Sequence, residues 1–478
     1  MKLIFDVSDK PKAGQLVVFA LQQMLAILAA TIAVPLIIGN GLTPAAAMFG
    51  AGVGTIVYIL FTKRKSPVFL GSSFAFLGSM AAAFAGGVSM QLGMLGLIIG
   101  ALLAGLVYVV IAIVVKFVGV GWLNKLMPAV VIGPTVAIIG LSLAGNAIGD
   151  LIKGDVTKQV TEYVVSTDSG TPEIIETVSN VPVGSSYVAL VCGLITLAVV
   201  MLCSAYGKKT LRLIPFIIGI LAGYAAAAIF TVIGNICDID ALKIVDLSVF
   251  SSYMLTDGSI SLKTFVSLPD FAFVSGLKGL KEFDFSYFAT IFVAYVPVAL
   301  VVFAEHVADH KNLSSIIDHD LLEEPGLTRT LLGDGVGSIA GALFGGCPNT
   351  TYGESVACVA ITGNASVITI FAAAIGCMLF SFITPLVAFV DSIPACVMGG
   401  VCIALYGFIA VSGLKMIQDV NLDDNRNLFV VSVILIAGIG GLTLTFGDIT
   451  LTEVAAALIL GILTNVMLSK KKGNADKK

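Results

Sequence analysis

The feature that most limits how this chain can fold is the segregation of its charge. Asp, Glu, Lys and Arg are gathered into short clusters, and long apolar stretches run between them. About 20 apolar residues suffice to cross a bilayer as a helix. About fourteen such segments can be placed, centred near residues 27, 52, 77, 104, 138, 196, 223, 299, 337, 357, 377, 405, 436 and 459. Hydrocarbon supplies no water to an open backbone, so segments of this kind must satisfy their amides internally, as helices. Only 12% of the 478 residues are charged and the mean hydropathy is +1.04. That is about half the charged share of a soluble domain, which is near 25%. The expected fold class is an all-α polytopic membrane protein in contact with lipid. There is no basic patch interleaved with aromatics, so nucleic acid is not an expected partner.

The first apolar run, Gln15 to Ile38, is longer than the ~7–15 apolar residues of a signal-peptide core and has no small-residue cleavage site. It reads as a retained first span. The eight cysteines form no C-x-x-C pair and mostly sit in apolar runs, which makes them small core hydrophobes rather than disulfides or metal ligands. Basic clusters set the orientation. Lys2, Lys10 and Lys12 precede span one, and Lys63-Arg64-Lys65 follow span two. Lys116 and Lys125 flank the turn after span four, Lys208, Lys209 and Arg212 follow span six, and the tail carries Lys470, Lys471 and Lys472. An even number of spans puts all of them on one side, the cytoplasmic side by the positive-inside rule. Both termini (residues 1–14 and the basic tail 469–478) are then cytoplasmic, and the long loops 149–185 and 236–285 are external. The first of these loops is acidic and rich in Val, Thr, Gly and Pro, consistent with loose β structure.

An internal repeat is visible. Gly52-Val53-Gly54-Thr55 recurs as Gly335-Val336-Gly337-Ser338, an offset of 283 residues (335 minus 52). In the same register Gln22-Gln23 falls on Glu305-His306, and Ser66–Phe74 falls within two residues of Cys347–Glu354. Seven spans separate the halves, so the second must be inverted relative to the first. Inverted repeats with short, Gly/Pro-interrupted segments at matching positions mark secondary transporters, whose sites lie between the two broken helices.

The segment Pro348-Asn349-Thr350-Thr351-Tyr352-Gly353-Glu354 places broken backbone and a carboxylate at one of those positions. An intramembrane acid needs a cavity or a partner. Phe303-Ala304-Glu305-His306-Val307-Ala308-Asp309-His310 supplies one. Helical spacing groups Glu305 with Asp309 and His306 with His310 on adjacent faces. The plainer alternative ends that span at Phe303, with the four polar residues in water. A zinc site on His306 and His310 lacks the H-E-x-x-H order and a third ligand. Thr351-x-x-Glu354 fits a capping box, and Ser72-Ser73 can cap the matching third helix. Half-helices starting inside the membrane aim free N–H groups into the cavity. Amides near Phe74 and Gly353 then donate while Glu305 and Glu354 accept, which suits a small planar ring with alternating N–H and C=O groups. Phe74 and Tyr352 can wall or stack on such a ring. Anionic carboxylates are costly in this setting, so Glu305 or Glu354 can carry a proton, and His310 titrates naturally near neutrality.

Gly71-Ser72-Ser73-Phe74-Ala75-Phe76, Ala304-Glu305-His306-Val307 and Pro348–Glu354 resemble the bacterial uracil permease branch of the nucleobase–ascorbate transporter (nucleobase:cation symporter-2) family, over about Val7 to Leu468. The resemblance implies a 7+7 inverted repeat with short strands before the half-helices of spans 3 and 10. It implies a core domain (15–120 and 286–392), a gate domain (121–235 and 393–468), a homodimer and elevator-like alternating access. It also implies proton symport of uracil into the cell with no cofactor, and no enzymatic activity. Glu305 and Glu354 would meet ring N–H groups, the Phe74 and Gly353 amides would meet ring oxygens, Tyr352 would line the site, and His310 would serve proton coupling with Glu305. Three positions depart from the family pattern: Gln22-Gln23 stands for the common Gln-His, Ser355 for Asn, and Asp309 for a frequent Gly. A purine such as xanthine or urate is the alternative substrate. An intramembrane metallohydrolase on Glu305, His306 and His310 is a remote alternative, and a channel fits a paired-carboxylate site less well.

Overall fold

The computed structural model describes residues 3–119, 128–166, 173–208, 211–212, 214–254, 259–418, 420–446 and 449–469. Lys125, Lys209 and Lys470–Lys472 lie outside them. The molecule is mostly helical. In chain order the main elements are α1 (Ala13–Ile38), α2 (Pro44–Phe61), β1 (Leu70–Ser72), α3 (Leu77–Ala83), α4 (Met90–Val118), α5 (Ala129–Ser142), α6 (Ala144–Leu151), β2 (Thr157–Ser166), β3 (Glu173–Pro182), α7 (Ser186–Tyr206) and α8 (Pro215–Cys237). They continue with α9 (Phe285–Ile317), α10 (Leu327–Gly345), β4 (Asn349–Thr351), α11 (Gly353–Thr362), α12 (Val367–Phe380), α13 (Ala395–Met416), α14 (Asn425–Ile439), β5 (Leu444–Phe446), β6 (Ile449–Leu451) and α15 (Glu453–Met467). All fourteen segment centres read from the sequence fall on helices.

Among the described residues, eight helical stretches are long and apolar enough to cross a membrane: α1, α2, α4, Ala129–Leu151, α7, α8, α9 and α13. Others, including α11 and α12, are apolar but shorter. Large apolar side chains such as Phe117, Tyr206 and Ile236 lie mostly exposed on these helices, as lipid-facing residues do. This is a multi-pass membrane protein.

Helix boundaries follow local chemistry. Thr43 accepts from Ala46 N at 3.3 Å with Pro44 in the first turn, Ser89 accepts from Leu92 N at 3.1 Å, and Asp284 accepts from Tyr287 N at 2.7 Å. α9 runs without a break through Glu305–His310 to Ile317, so the span does not end at Phe303.

By contacts the chain divides into two compact units. The first comprises Met1–Leu143, Leu262–Val387 and Leu405–Lys478; the second comprises Ala144–Ser261 and Ala388–Ala404. In the second unit β2 and β3 form an antiparallel hairpin with Thr157 opposite Pro182, and small residues let α7 approach both α8 and the start of α13.

In the first unit, α2 and α10 are joined along a glycine ridge. Gly333, Gly337, Gly341 and Gly345 recur every four residues, which places them on one helix face. They meet Tyr58, Gly54, Gly50 and Ala46 in strict antiparallel register. A Cβ on Gly337 would stand 2.7 Å from the Gly54 carbonyl oxygen, and one on Gly345 would stand 2.9 Å from that of Ala46. Small residues here bring two backbones into direct contact. Gly54 thus packs on Gly337, its own counterpart at the 283-residue offset.

Candidate functional site

The ridge positions the two broken segments. β1 and β4 leave α2 and α10 and pair antiparallel, Leu70 with Thr351, Gly71 with Thr350 and Ser72 with Asn349. The pairing is extended at its ends, where Tyr352 N donates to Phe69 O at 3.1 Å and Ser73 N donates to Pro348 O at 2.9 Å. This satisfies backbone that a helix cannot, which buried non-helical chain requires. Side chains tie the crossing to the ridge. Asn349 Nδ2 donates to Gly50 O at 3.1 Å, and Asn349 N donates to Ser338 Oγ at 3.0 Å. Thr55 Oγ1 accepts from Leu70 N at 2.9 Å and donates to Leu70 O at 3.2 Å.

After each strand a helix begins. Beyond β1 comes a short 3-10 turn, Phe74–Phe76, and then α3; beyond β4 comes α11. The amides of Phe74 and Gly353 head these elements and have no backbone carbonyl partner among the described residues. Phe74 is buried, with its ring edge-on to Tyr406 at 5.8 Å, whereas Gly353 is exposed. Tyr352 is buried against Gly71, and its hydroxyl donates to Ser72 O at 2.8 Å. Its polar end therefore clamps the two broken segments together.

Neither expected cap forms. α11 starts one residue later than a Thr351 cap requires, with Tyr352 at the N-cap position and no side-chain cap bond. The Thr351 hydroxyl donates instead to Asp309 Oδ2 at 2.8 Å. Ser73 stands at the N-cap of the 3-10 turn, but its buried hydroxyl makes no hydrogen bond among the described residues.

The residues of α9 divide between two environments. Glu305 and Asp309 are partly exposed, as is Glu354 at the head of α11. The three carboxylates are near enough to repel one another, and a Cβ on Gly353 would lie 3.9 Å from Asp309 Oδ1. A third acid thus joins the two expected ones. His306 and His310 point the other way and are buried. His306 Nδ1 lies 2.7 Å from Asp334 Oδ2, and both side chains are wholly buried. His306 Nε2 lies 3.1 Å from Thr330 Oγ1, whose own proton goes to Leu327 O. Nε2 must therefore be a donor, and the histidine and Asp334 share a further proton. His310 Nδ1 is 2.7 Å from His306 O and His310 Nε2 is 2.6 Å from the Tyr58 hydroxyl. The structure thus separates His310 from the carboxylate face.

Gln23 is buried on α1, and its Nε2 donates to Ser355 Oγ at 2.5 Å; Ser355 Oγ also accepts from Phe69 N at 3.0 Å. Gln23 on α1 is thereby joined to Ser355 on α11. Asp334, Tyr58 and Thr330 were missed by the sequence reading. The available signal was Asp334 itself, an acid between Gly333 and Gly335 in a membrane segment.

The chain matches the Permease family model (Xan_ur_permease) over residues 14–446. It is 36% identical to the uracil permease of Bacillus caldolyticus over 478 residues, covering 99% of this chain and 97% of that one. It is 34% identical to the uracil permease of Bacillus subtilis (strain 168) over 475 residues, covering 98% and 96%. It is 33% identical to that of Escherichia coli (strain K12) over 458 residues, covering 95% and 92%. Among solved structures, the transmembrane domain of the cyanobacterial bicarbonate transporter BicA superposes with a TM-score of 0.61 at 13% identity, covering 96% of this chain and 100% of that one. The murine Slc26a9 anion transporter superposes with a TM-score of 0.59 at 11% identity, covering 96% and 69%. These two likenesses concern the fold alone. With the family match spanning residues 14–446 and permease relatives aligned over nearly the full length, the chain belongs to the Permease family.

Proposed function

We propose that the protein is a secondary active transporter that imports uracil with a proton across the cytoplasmic membrane, with both termini in the cytoplasm. The observation that carries this reading is the grouping of Glu305, Asp309 and Glu354 beside Gly353, whose amide, like that of Phe74, has no backbone carbonyl partner among the described residues. Carboxylate acceptors together with backbone N–H donors would match the alternating N–H and C=O groups of a pyrimidine ring. Three neighbouring carboxylates give the substrate-loaded site a place to carry a proton. The similarity to named uracil permeases supports the choice of base.

In this reading Glu305 and Glu354 accept from the ring N–H groups, and Tyr352 lines the site while bracing it. His310 and Glu305 serve proton coupling, with no other cofactor. The 283-residue offset and the Gly54–Gly337 contact support an inverted 7+7 repeat. A core and a gate domain, a homodimer and elevator-type alternating access complete the proposal. Both imidazoles are committed to protein partners, which argues against their use in metal-dependent hydrolysis.

The test is radiolabelled uracil uptake by purified protein in proteoliposomes, with and without an inward-directed proton gradient. Saturable uptake driven by the gradient and competed by excess uracil but not by xanthine is expected. Stronger competition by xanthine than by uracil would move the assignment to a purine, and indifference to the gradient would remove proton coupling.

A further inference from the structure

The pairing of His310 with Tyr58 has a direction built into it. A carbonyl oxygen only accepts, so the 2.7 Å contact between His310 Nδ1 and His306 O puts a proton on Nδ1. In the neutral ring Nε2 is then an acceptor, and the Tyr58 hydroxyl at 2.6 Å is the donor within its reach. The same hydroxyl lies 2.7 Å from Ser66 Oγ, with Tyr58 placed to donate to it. One hydroxyl proton thus has two acceptors in reach: it turns to Nε2 in the neutral ring, and once Nε2 gains a proton, Nε2–H donates to Tyr58 and Tyr58 donates to Ser66. Ser66 is buried, but it stands one residue inside the turn Lys63–Lys65, where Lys63 and Arg64 are exposed. Apolar side chains pack around the row, among them Val68, Leu70, Leu313, Ile317, Val356 and Val359. They keep competing water from its middle.

We propose that Tyr58 and Ser66 form a proton relay joining His310 to the Lys63–Lys65 turn, along a route separate from the carboxylate face. This rests on the reading of the chain as a proton-coupled carrier. In the loading direction a water-borne proton binds Ser66 Oγ, the hydroxyl proton of Ser66 passes to Tyr58, and that of Tyr58 passes to Nε2. One O–H bond forms and one breaks at each oxygen, and a single N–H bond forms at the end. Release runs the same steps backwards. The titratable groups that face this row are His306 and Asp309 from α9 and Asp334 from α10. The side chains packed there from α11 and from the segment around β1 are apolar.

The test compares Tyr58→Phe and Ser66→Ala with the wild type in proteoliposomes. Two rates are measured: accumulation of labelled uracil driven by a proton gradient, and exchange of labelled for unlabelled uracil at equal pH. Exchange needs no net proton release, so both variants should keep it within about twofold, while gradient-driven accumulation falls at least about tenfold. If wild type accumulates no uracil under the gradient, the carrier reading fails and the relay with it. Unchanged accumulation by both variants, in the presence of wild-type coupling, overturns the relay alone. Loss of exchange together with accumulation in both variants assigns the hydroxyls a structural role and also overturns it.

Discussion

Two side chains show how environment sets role at the scale of single residues. Glu354 heads α11 and faces the other two acids. Replacing it with Gln removes the charge and turns one acceptor atom into a donor that confronts the ring N–H. A hydrogen bond to a charged group contributes about 1.5–3 kcal/mol, so Glu354→Gln should weaken uracil binding by about 100-fold. Calorimetric titration of purified protein reads this directly, and wild-type affinity would remove the residue from the site. Asp155 lies outside the spans, between α6 and β2, where its Oδ1 accepts from Ala395 N at 3.1 Å. Burial pushes its carboxyl up to about 6; the Ala395 amide opposes the shift, Asp246 and Asp150 add to it, and Lys153 counters it. The unfolded carboxyl titrates near ~3.9. The folded state therefore holds the extra proton between those values, and its stabilising effect is present below about pH 4 and lost as pH rises through about 6. Asp155→Asn keeps an acceptor for Ala395 without the charge. It should raise the Tm by about a few degrees at pH 7.5 and flatten the decline between about pH 4 and 7. A thermal-shift series in detergent across that range checks the sign, and a variant less stable than wild type at pH 7.5 would refute it.

At the scale of elements, the α2–α10 ridge is the frame on which both broken segments hang. Gly337→Leu would force a side chain into the Gly54 backbone, 2.7 Å from where its Cβ would stand. Overpacking of this kind costs about 1–3 kcal/mol, and here it also shifts the β1–β4 crossing. The variant should lose most of its monodisperse peak in size-exclusion chromatography or bind uracil poorly. Gly407→Ala, on α13 with nothing within 4 Å of the new Cβ, should behave as wild type. Equal behaviour of the two would show that the ridge is not under packing constraint. The capping signals illustrate how an element boundary is misread. Thr351-x-x-Glu354 has the right spacing for a capping box, but the Thr351 hydroxyl has a rival acceptor, Asp309, 42 residues away. A carboxylate is the stronger acceptor, and a local motif carries no information about it.

For the whole molecule, the proposed topology makes Cys237 a reporter. It is an exposed cysteine at the end of α8, while Cys192, Cys347, Cys358, Cys377, Cys396 and Cys402 are buried. With both termini inside, Cys237 opens the external segment 236–285. A membrane-impermeant maleimide should label it in right-side-out vesicles and not in inverted ones, with Cys237→Ser as the negative control. The reverse pattern would invert the topology.

The membrane class, the positions of the fourteen helical segments and the two Gly/Pro-broken sites were legible in the amino-acid order, because apolar run length and helix interruption are local properties. The spacing of Glu305, His306, Asp309 and His310 also told which pairs share a face. Only the tertiary structure decided which face meets the other carboxylates and which is sealed with Tyr58 and Asp334. His306 finds its partner 28 residues away, and His310 finds Tyr58 252 residues away. Where no water competes, a buried polar group takes whatever partner the packed helices bring to it, and that depends on contacts no local stretch of sequence contains.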